Sequence, residues 1–120
     1  MNTKTVGSKG EAIVSQYLKD KGYIITAQNY HSRFGEIDII AETSEIIAFV
    51  EVKTRAIDSL SAPRESVDAK KQQKIRLTAL QYMAHNFCDD LQMRFDVAEI
   101  IYENNTCKIN YIEGAFSGVE

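Results

Sequence analysis

Long apolar runs, cysteines, histidines and proline are all scarce in this chain. No uninterrupted apolar stretch approaches the roughly 18 residues of a membrane-spanning helix, so no membrane partner is expected. The opening Met1-Asn2-Thr3-Lys4-Thr5 is polar and has no apolar centre of the secretory kind, which makes a cytoplasmic protein the expectation. Cys88 and Cys107 fit neither a metal-binding spacing nor a disulfide framework, and two reduced thiols are expected. His31 and His85 have no partner at ligand spacing and read as surface or turn residues. Internal repeats, linkers and low-complexity tracts are missing too. A strongly basic balance is also absent: the net charge of −3 argues against a strong non-specific nucleic-acid binder.

What remains is an ordinary single globular domain. Its 120 residues are enough to bury about two thirds of the unfolded surface, and 44% hydrophobic with 26% charged residues is a usual composition. The charge is unevenly spread. Lys53 to Arg76 holds seven basic and three acidic residues, a local +4 against −7 for the rest. Such a stretch suits an anionic backbone, or simply a solvated helix face.

Ser8-Lys9-Gly10-Glu11 has the form of a capping box, with apolar Ala12, Ile13, Val14, Tyr17 and Leu18 following at helical spacing. Gly22 is a plausible stop, so a helix is predicted from about Lys9 to Lys21. Tyr23-Ile24-Ile25-Thr26 begins a strand extending toward Tyr30. Strands at Ile37–Ala41 and Ile46–Val52 follow, close enough for an antiparallel hairpin. Ala56 to Glu65, holding the single proline Pro63, reads as a loop. A second helix is predicted from about Ser66 to Phe87, with Ile75, Ala79, Tyr82 and Met83 as its apolar stripe. Strands at Arg94–Tyr102 and Lys108–Ile112 complete the chain, with a loose tail from Gly114. The order α-β-β-β-α-β-β implies an α/β fold with a mixed central sheet and helices packed against it.

The two hairpin strands carry charges that a buried strand should not tolerate. Asp38 interrupts the first, Glu51 and Lys53 the second. An unpaired buried carboxylate costs several kcal/mol, so such residues point to pairing, metal ligation or protonation. If the hairpin turns symmetrically between Ser44 and Glu45, positions summing to 89 face one another. Asp38 then lies opposite Glu51 and Glu36 opposite Lys53, all on one face. Facing β-carbons are about 5 Å apart, and like charges at that distance repel. A divalent cation between them would resolve the conflict; Mg²⁺ takes one or two carboxylates and keeps several waters. Lys53 would hold an attacking water or stabilise charge on a phosphate. The register is not secured locally, because the turn has no Asn-Gly or Asp-Gly signal. A shift would send Glu51 to the other face and leave an ion pair at a sheet edge.

Other residues have two readings each. Glu11 is explained by the capping box or by a place beside the acids. Glu36 reads as a salt-bridge partner of Lys53 or a secondary ligand. Arg55 is a phosphate contact or a solvated strand end. Lys71 and Gln72 open the second helix, where amide donors and the dipole suit an anion. Asp96, in Phe95-Asp96-Val97, reads as a structural hydrogen-bond acceptor.

The Asp38 and Glu51-Val52-Lys53 pair resembles the PD-(D/E)XK nuclease superfamily, in which an acid on one strand precedes Glu-x-Lys on the next. The wider pattern is similar to a small bacterial family of endonuclease-like proteins, the YraN-like family. The matching pieces are Gly7-Ser8-Lys9-Gly10-Glu11-Ala12, Tyr17-Leu18, Asn29, Arg33 and Gly35-Glu36-Ile37-Asp38-Ile39-Ile40. They continue through Phe49-Val50-Glu51-Val52-Lys53-Thr54-Arg55, Lys71-Gln72 and Arg94-Phe95-Asp96-Val97. The resemblance implies a restriction-endonuclease-like three-layer α/β/α domain and a Mg²⁺- or Mn²⁺-dependent nuclease. In it, Asp38, Glu51 and the Val52 carbonyl hold the metal and Lys53 stands beside the water. Arg55, Lys71 and Gln72 would contact DNA. Similarity in layout to archaeal Holliday-junction resolvases adds Glu11 as a third acid, and the family analogy suggests branched DNA as a substrate form. The superfamily resemblance allows a homodimer, since many of its nucleases dimerise to cut both strands. Here Ile37-Asp38 replaces the superfamily's proline-aspartate opening, and the chain is acidic overall. The rival readings are a DNA- or protein-binding module of the same fold with little or no catalysis, and a structural subunit with a buried ion-pair network.

Overall fold

Gly22 closes the first helix as its position predicts. It adopts φ +95°, and the Tyr23 and Gly22 amides donate to the carbonyls of Leu18 and Lys19 at 3.0 Å each. This is the Schellman pattern that a residue without a Cβ permits. The computed structural model describes residues 3–57, 67–86, 88 and 90–118, with side chains from residue 9 onward. In it the order is α1 (Thr3–Asp20), β1 (Ile24–His31), β2 (Glu36–Glu42), β3 (Ile46–Ala56), α2 (Ala69–Asn86), β4 (Gln92–Glu103) and β5 (Thr106–Phe116). Among the described residues no helix is long and apolar enough to cross a membrane.

Three boundaries differ from expectation. Helix α1 starts at Thr3, so Ser8 lies within it and is not its cap. Helix α2 starts at Ala69, capped by Asp68, whose carboxylate accepts the Lys71 amide at 2.9 Å. The tail is docked: β5 runs to Phe116, whose ring stacks on Phe95 at 5.2 Å, and Ser117 accepts Arg76 Nε–H at 2.8 Å. Most of the expected loop, from residue 58 to residue 65, lies outside the described residues.

The sheet runs β1-β2-β3-β4-β5, antiparallel except for the β3–β4 pair. That parallel pair requires a crossover, which α2 supplies. The helices cover opposite faces. Val14 and Leu18 of α1 pack with Ile39, Ala41, Ala48, Val50, Ala98 and Ile100. The α2 stripe, Ile75, Ala79, Tyr82 and Met83, packs with Ile40, Ile47, Phe49, Phe95 and Val97 on the other. Burying each such side chain stabilises the fold by about 1.5–3 kcal/mol. Gly10 lets α1 come close to β3. A Cβ there would lie 2.6 Å from Thr54 Cγ2, so even alanine would force either the Thr54 side chain or the helix to shift.

The hairpin has the symmetric register: Ile39 faces Val50, Ile40 faces Phe49 and Ala41 faces Ala48. Thr43 secures it in place of a glycine turn. Its amide donates to the Ile46 carbonyl at 2.9 Å, and its hydroxyl accepts the Glu45 and Ile46 amides at 3.2 and 3.0 Å.

Candidate functional site

Strand alternation carries Glu51 and Lys53 to the face of Ile47 and Phe49, and Asp38 to that of Ile40, beneath α2. Continued by one residue, the register sets Asp38 opposite Glu51. There the ladder stops. The Val52 amide, which the register would aim at Ile37, donates instead to Asp38 Oδ2 at 2.8 Å. A strand residue's N–H and C=O point to the same side, so the Val52 carbonyl also faces the gap between β2 and β3. The strands part beyond this point, and the expected Glu36–Lys53 pair does not form. Glu36 instead lies 3.8 Å from His31 Nε2, both of them exposed.

Glu51 is buried, and two ammonium groups share its Oε1: Lys71 at 2.6 Å and Lys53 at 3.4 Å. The Asp38 carboxylate accepts the Val52 amide, and among the described residues no ammonium forms an ion pair with it, although its charge helps hold the Lys71 ammonium protonated. Burial, then the Glu51 charge, push its pKa from 3.8 up to about 7, with Glu11 and Glu36 adding to the rise and the Val52 amide opposing it. Burial also draws the Lys53 ammonium below the ordinary lysine value, helped by Lys71 and opposed by Glu51. At Lys71 burial acts in the same direction, but hydrogen bonding to Glu51 and Lys53 outweighs it and the net shift is upward.

A cleft of about 410 Å³ opens over these groups. Glu36, Asp38 and Glu51 line its sheet side; Lys70, Lys71 and Lys74 line its α2 side, with Asp68 at the helix cap. Acids on one wall and ammoniums on the other suit a cation and an anion bound together. Among the described residues, no three Asp, Glu, His or Cys side chains form a metal-holding set of their own. The donors present are two facing carboxylates and a backbone carbonyl. That hard oxygen set matches Mg²⁺, which completes its shell with water and phosphate.

The remaining predicted residues lie around this centre rather than in it. Glu11 does not turn back to cap its helix; its Oε1 accepts Asn29 Nδ2–H at 3.1 Å. Asn29 holds a left-handed φ of 51°, and β1 pairing sets it beside Asp38, between Gln28 facing Ile39 and Tyr30 facing Ile37. Arg55 pairs with Glu99 at 2.6 Å, both largely buried. Gln72 donates to the Val67 carbonyl at 2.9 Å and accepts from Arg76 at 3.2 Å, which ties its amide into the helix start. The α2 terminus already has an anion, the Asp68 carboxylate. Asp96 is the structural acceptor expected, enclosed by Arg94, Tyr111 and the Gly114 amide.

Glu99 was not singled out from the sequence, and Lys70 and Lys74 were counted only within the basic stretch from Lys53 to Arg76. Glu99 was detectable, since it breaks the apolar run after Phe95 and Val97 just as Asp38 breaks its own, and it is 2% exposed. The basic stretch signalled the two lysines, but only the docking of α2 places them across the cleft from the acids.

Residues 10–100 match the sequence profile of the family described as "Uncharacterised protein family UPF0102". A UPF0102 protein of Alkaliphilus metalliredigens is 46% identical over 114 residues, covering 95% of this chain and 99% of its own. Another, from Alkaliphilus oremlandii, is also 46% identical, covering 94% and 98%. One from Caldanaerobacter subterraneus is 44% identical over 119 residues, covering 97% and 98%.

Proposed function

The chain belongs to the UPF0102 (YraN-like) family, and we propose that it is a Mg²⁺- or Mn²⁺-dependent nuclease of restriction-endonuclease-like, PD-(D/E)XK type acting on DNA phosphodiesters. The observation that carries the reading is the meeting of Asp38 and Glu51 on one face, with Asp38 pushed up to about 7 by burial and its acidic neighbours. Two facing carboxylates, one of them without an ion-pair partner among the described residues, add nothing to stability, and a shifted acid lining a cleft supports a functional site. Asp38, Glu51 and the Val52 carbonyl would hold the ion, with Glu11, steadied by Asn29, as an outer acid. A bound divalent ion would supply an activated water and neutralise phosphate charge. Lys53, with its ammonium drawn below the ordinary value, is placed to take a proton from a water or to stabilise the phosphate. Lys70, Lys71 and Lys74 offer the cationic wall for the DNA backbone. Arg55, two residues beyond Lys53 on the same face, is held by Glu99 at 2.6 Å. Branched DNA as the preferred form rests on similarity of layout to the junction resolvases.

A second reading is favoured by one observation, the lysine seated on Glu51. A module of the same fold could bind DNA with its charges internally paired and do little chemistry. Labelled linear, flapped and four-way DNA, incubated with Mg²⁺ or Mn²⁺, separates the two. The nuclease predicts cleavage by the wild type and a loss on the order of 10²–10⁴-fold in both Lys53→Ala and Asp38→Ala. Binding without cleavage would establish the module. Neither binding nor cleavage, with no calorimetric uptake of metal, would reduce the charges to an internal ion-pair network.

A further inference from the structure

Lys71 sits closer to Glu51 than Lys53 does, although Lys53 is on Glu51's own strand and Lys71 comes from the opposite wall of the cleft. The Lys71 backbone is anchored by the Asp68 cap, while its side chain is 37% exposed along a cleft whose helix wall also carries Lys70 and Lys74. The Glu51 side chain, by contrast, is 8% exposed and cannot follow it outward. The anchored partner is the carboxylate and the movable one is the ammonium.

We infer that Lys71 is a built-in counter-ion that a divalent cation must displace from Glu51, and that a phosphate in the cleft takes up the displaced ammonium. The inference rests on the metal reading of Asp38 and Glu51. Without a cation, Lys71 neutralises a buried carboxylate that would otherwise be left with the more distant Lys53. A second positive charge at Glu51 Oε1 competes for the same oxygen and repels the ammonium across a poorly solvated gap. Swung outward, Lys71 joins Lys70 and Lys74 to form a three-ammonium receptor for a phosphate. Metal and phosphate binding therefore reinforce each other, and by linkage each strengthens the other by the same factor. Metal alone binds weakly, and DNA alone meets a cleft with one of its three ammoniums already committed.

Calorimetric titration of the full chain with Mn²⁺ tests the first half. Lys71→Met is expected to bind Mn²⁺ about tenfold more tightly than the wild type, as expected for removing a competitor. Lys71→Arg, which retains the charge and protects against a folding defect, stays close to wild type. Fluorescence anisotropy with a labelled duplex, in Mg²⁺ and in EDTA at matched ionic strength, tests the second half. Relative to a Lys108→Met control for charge loss on exposed β5, Lys71→Met shows a several-fold smaller Mg²⁺-dependent gain in DNA affinity, the remainder coming from the metal itself; a gain as large as the control's overturns the phosphate half. Equal or weaker Mn²⁺ binding by Lys71→Met than by wild type overturns the inference and leaves the metal reading intact. No Mn²⁺ binding by any of these proteins overturns both.

Discussion

Two strand acids on opposite faces of the sheet, Asp96 on β4 and the half-buried Asp38 on β2 with β3 between them, have opposite fates. Asp96, on the face toward α1, is fully enclosed and fully satisfied. Arg94 donates to both its oxygens at 2.8–3.1 Å, Tyr111 donates its hydroxyl at 2.6 Å and the Gly114 amide adds a bond at 3.0 Å. The Asp96 bond holds the Arg94 guanidinium well above its ordinary pKa, and burial with the Asp96 charge raises Tyr111 likewise. Asp38, on the face toward α2, has one backbone amide and three acidic neighbours. One acid is a closed structural knot; the other faces a cleft with negative charge to spare. What separates the two is therefore not burial of a charge but whether it is enclosed by fixed hydrogen-bond donors or left facing a cleft beside a second acid.

Breaking the closed knot should have the largest effect. Asp96→Ala leaves the half-buried Arg94 with only the Tyr23 hydroxyl and the more distant Glu113, strips Tyr111 and the Gly114 amide of their acceptor, and is expected to destabilise the fold by about 3 kcal/mol in urea unfolding. The open site should behave in the reverse way. Saturating Mn²⁺, at about 100 times its dissociation constant, should stabilise the wild type by about 2.7 kcal/mol. Asp38→Asn and Glu51→Gln should each abolish that gain, while Asp96 and its partners have no part in it. A comparable Mn²⁺ effect in Asp38→Asn would erase the distinction.

Proton linkage sharpens the contrast. The folded pKa of Asp38, about 7, exceeds its ordinary value, so the folded state binds the proton more tightly than the unfolded chain. That contribution is fully present below about pH 4 and is lost as pH rises through about 7. Without metal, the wild type should lose on the order of 2 kcal/mol between pH 5 and pH 8 relative to Asp38→Asn, which keeps an acceptor for the Val52 amide. A pH-independent difference between the two would show that Asp38 is already neutralised in the fold. The smallest effect is Tyr111→Phe. It removes one bond from the knot and should cost about 1–2 kcal/mol, with the Mn²⁺ response unchanged.

Much of this was legible in the chain. The apolar stripe of α2, the alternation of β2 and β3 and the brevity of the segment between them lead directly to Asp38 facing Glu51. Thr43 was not anticipated as the register lock, because its hydroxyl does the work usually assigned to a glycine turn. Ser8 was misread as a cap since nothing before it forbids helix, and α1 extends back to Thr3. The Glu36–Lys53 pair failed because Asp38 takes the next backbone rung of β3 and lets the strands diverge.

By itself the sequence determined the elements and the closeness of β2 and β3, since side-chain period and short connections are local properties; the Thr43 turn then settled the register that brings the two acids together. Only the tertiary structure decided which cations answer them. The parallel pairing of β3 with β4 set Glu99 on Arg55, and the seating of α2 set Lys71 on Glu51. Those partners are separated by 44 and 20 positions in the chain, and no periodicity reaches across such intervals to say which charge will meet which.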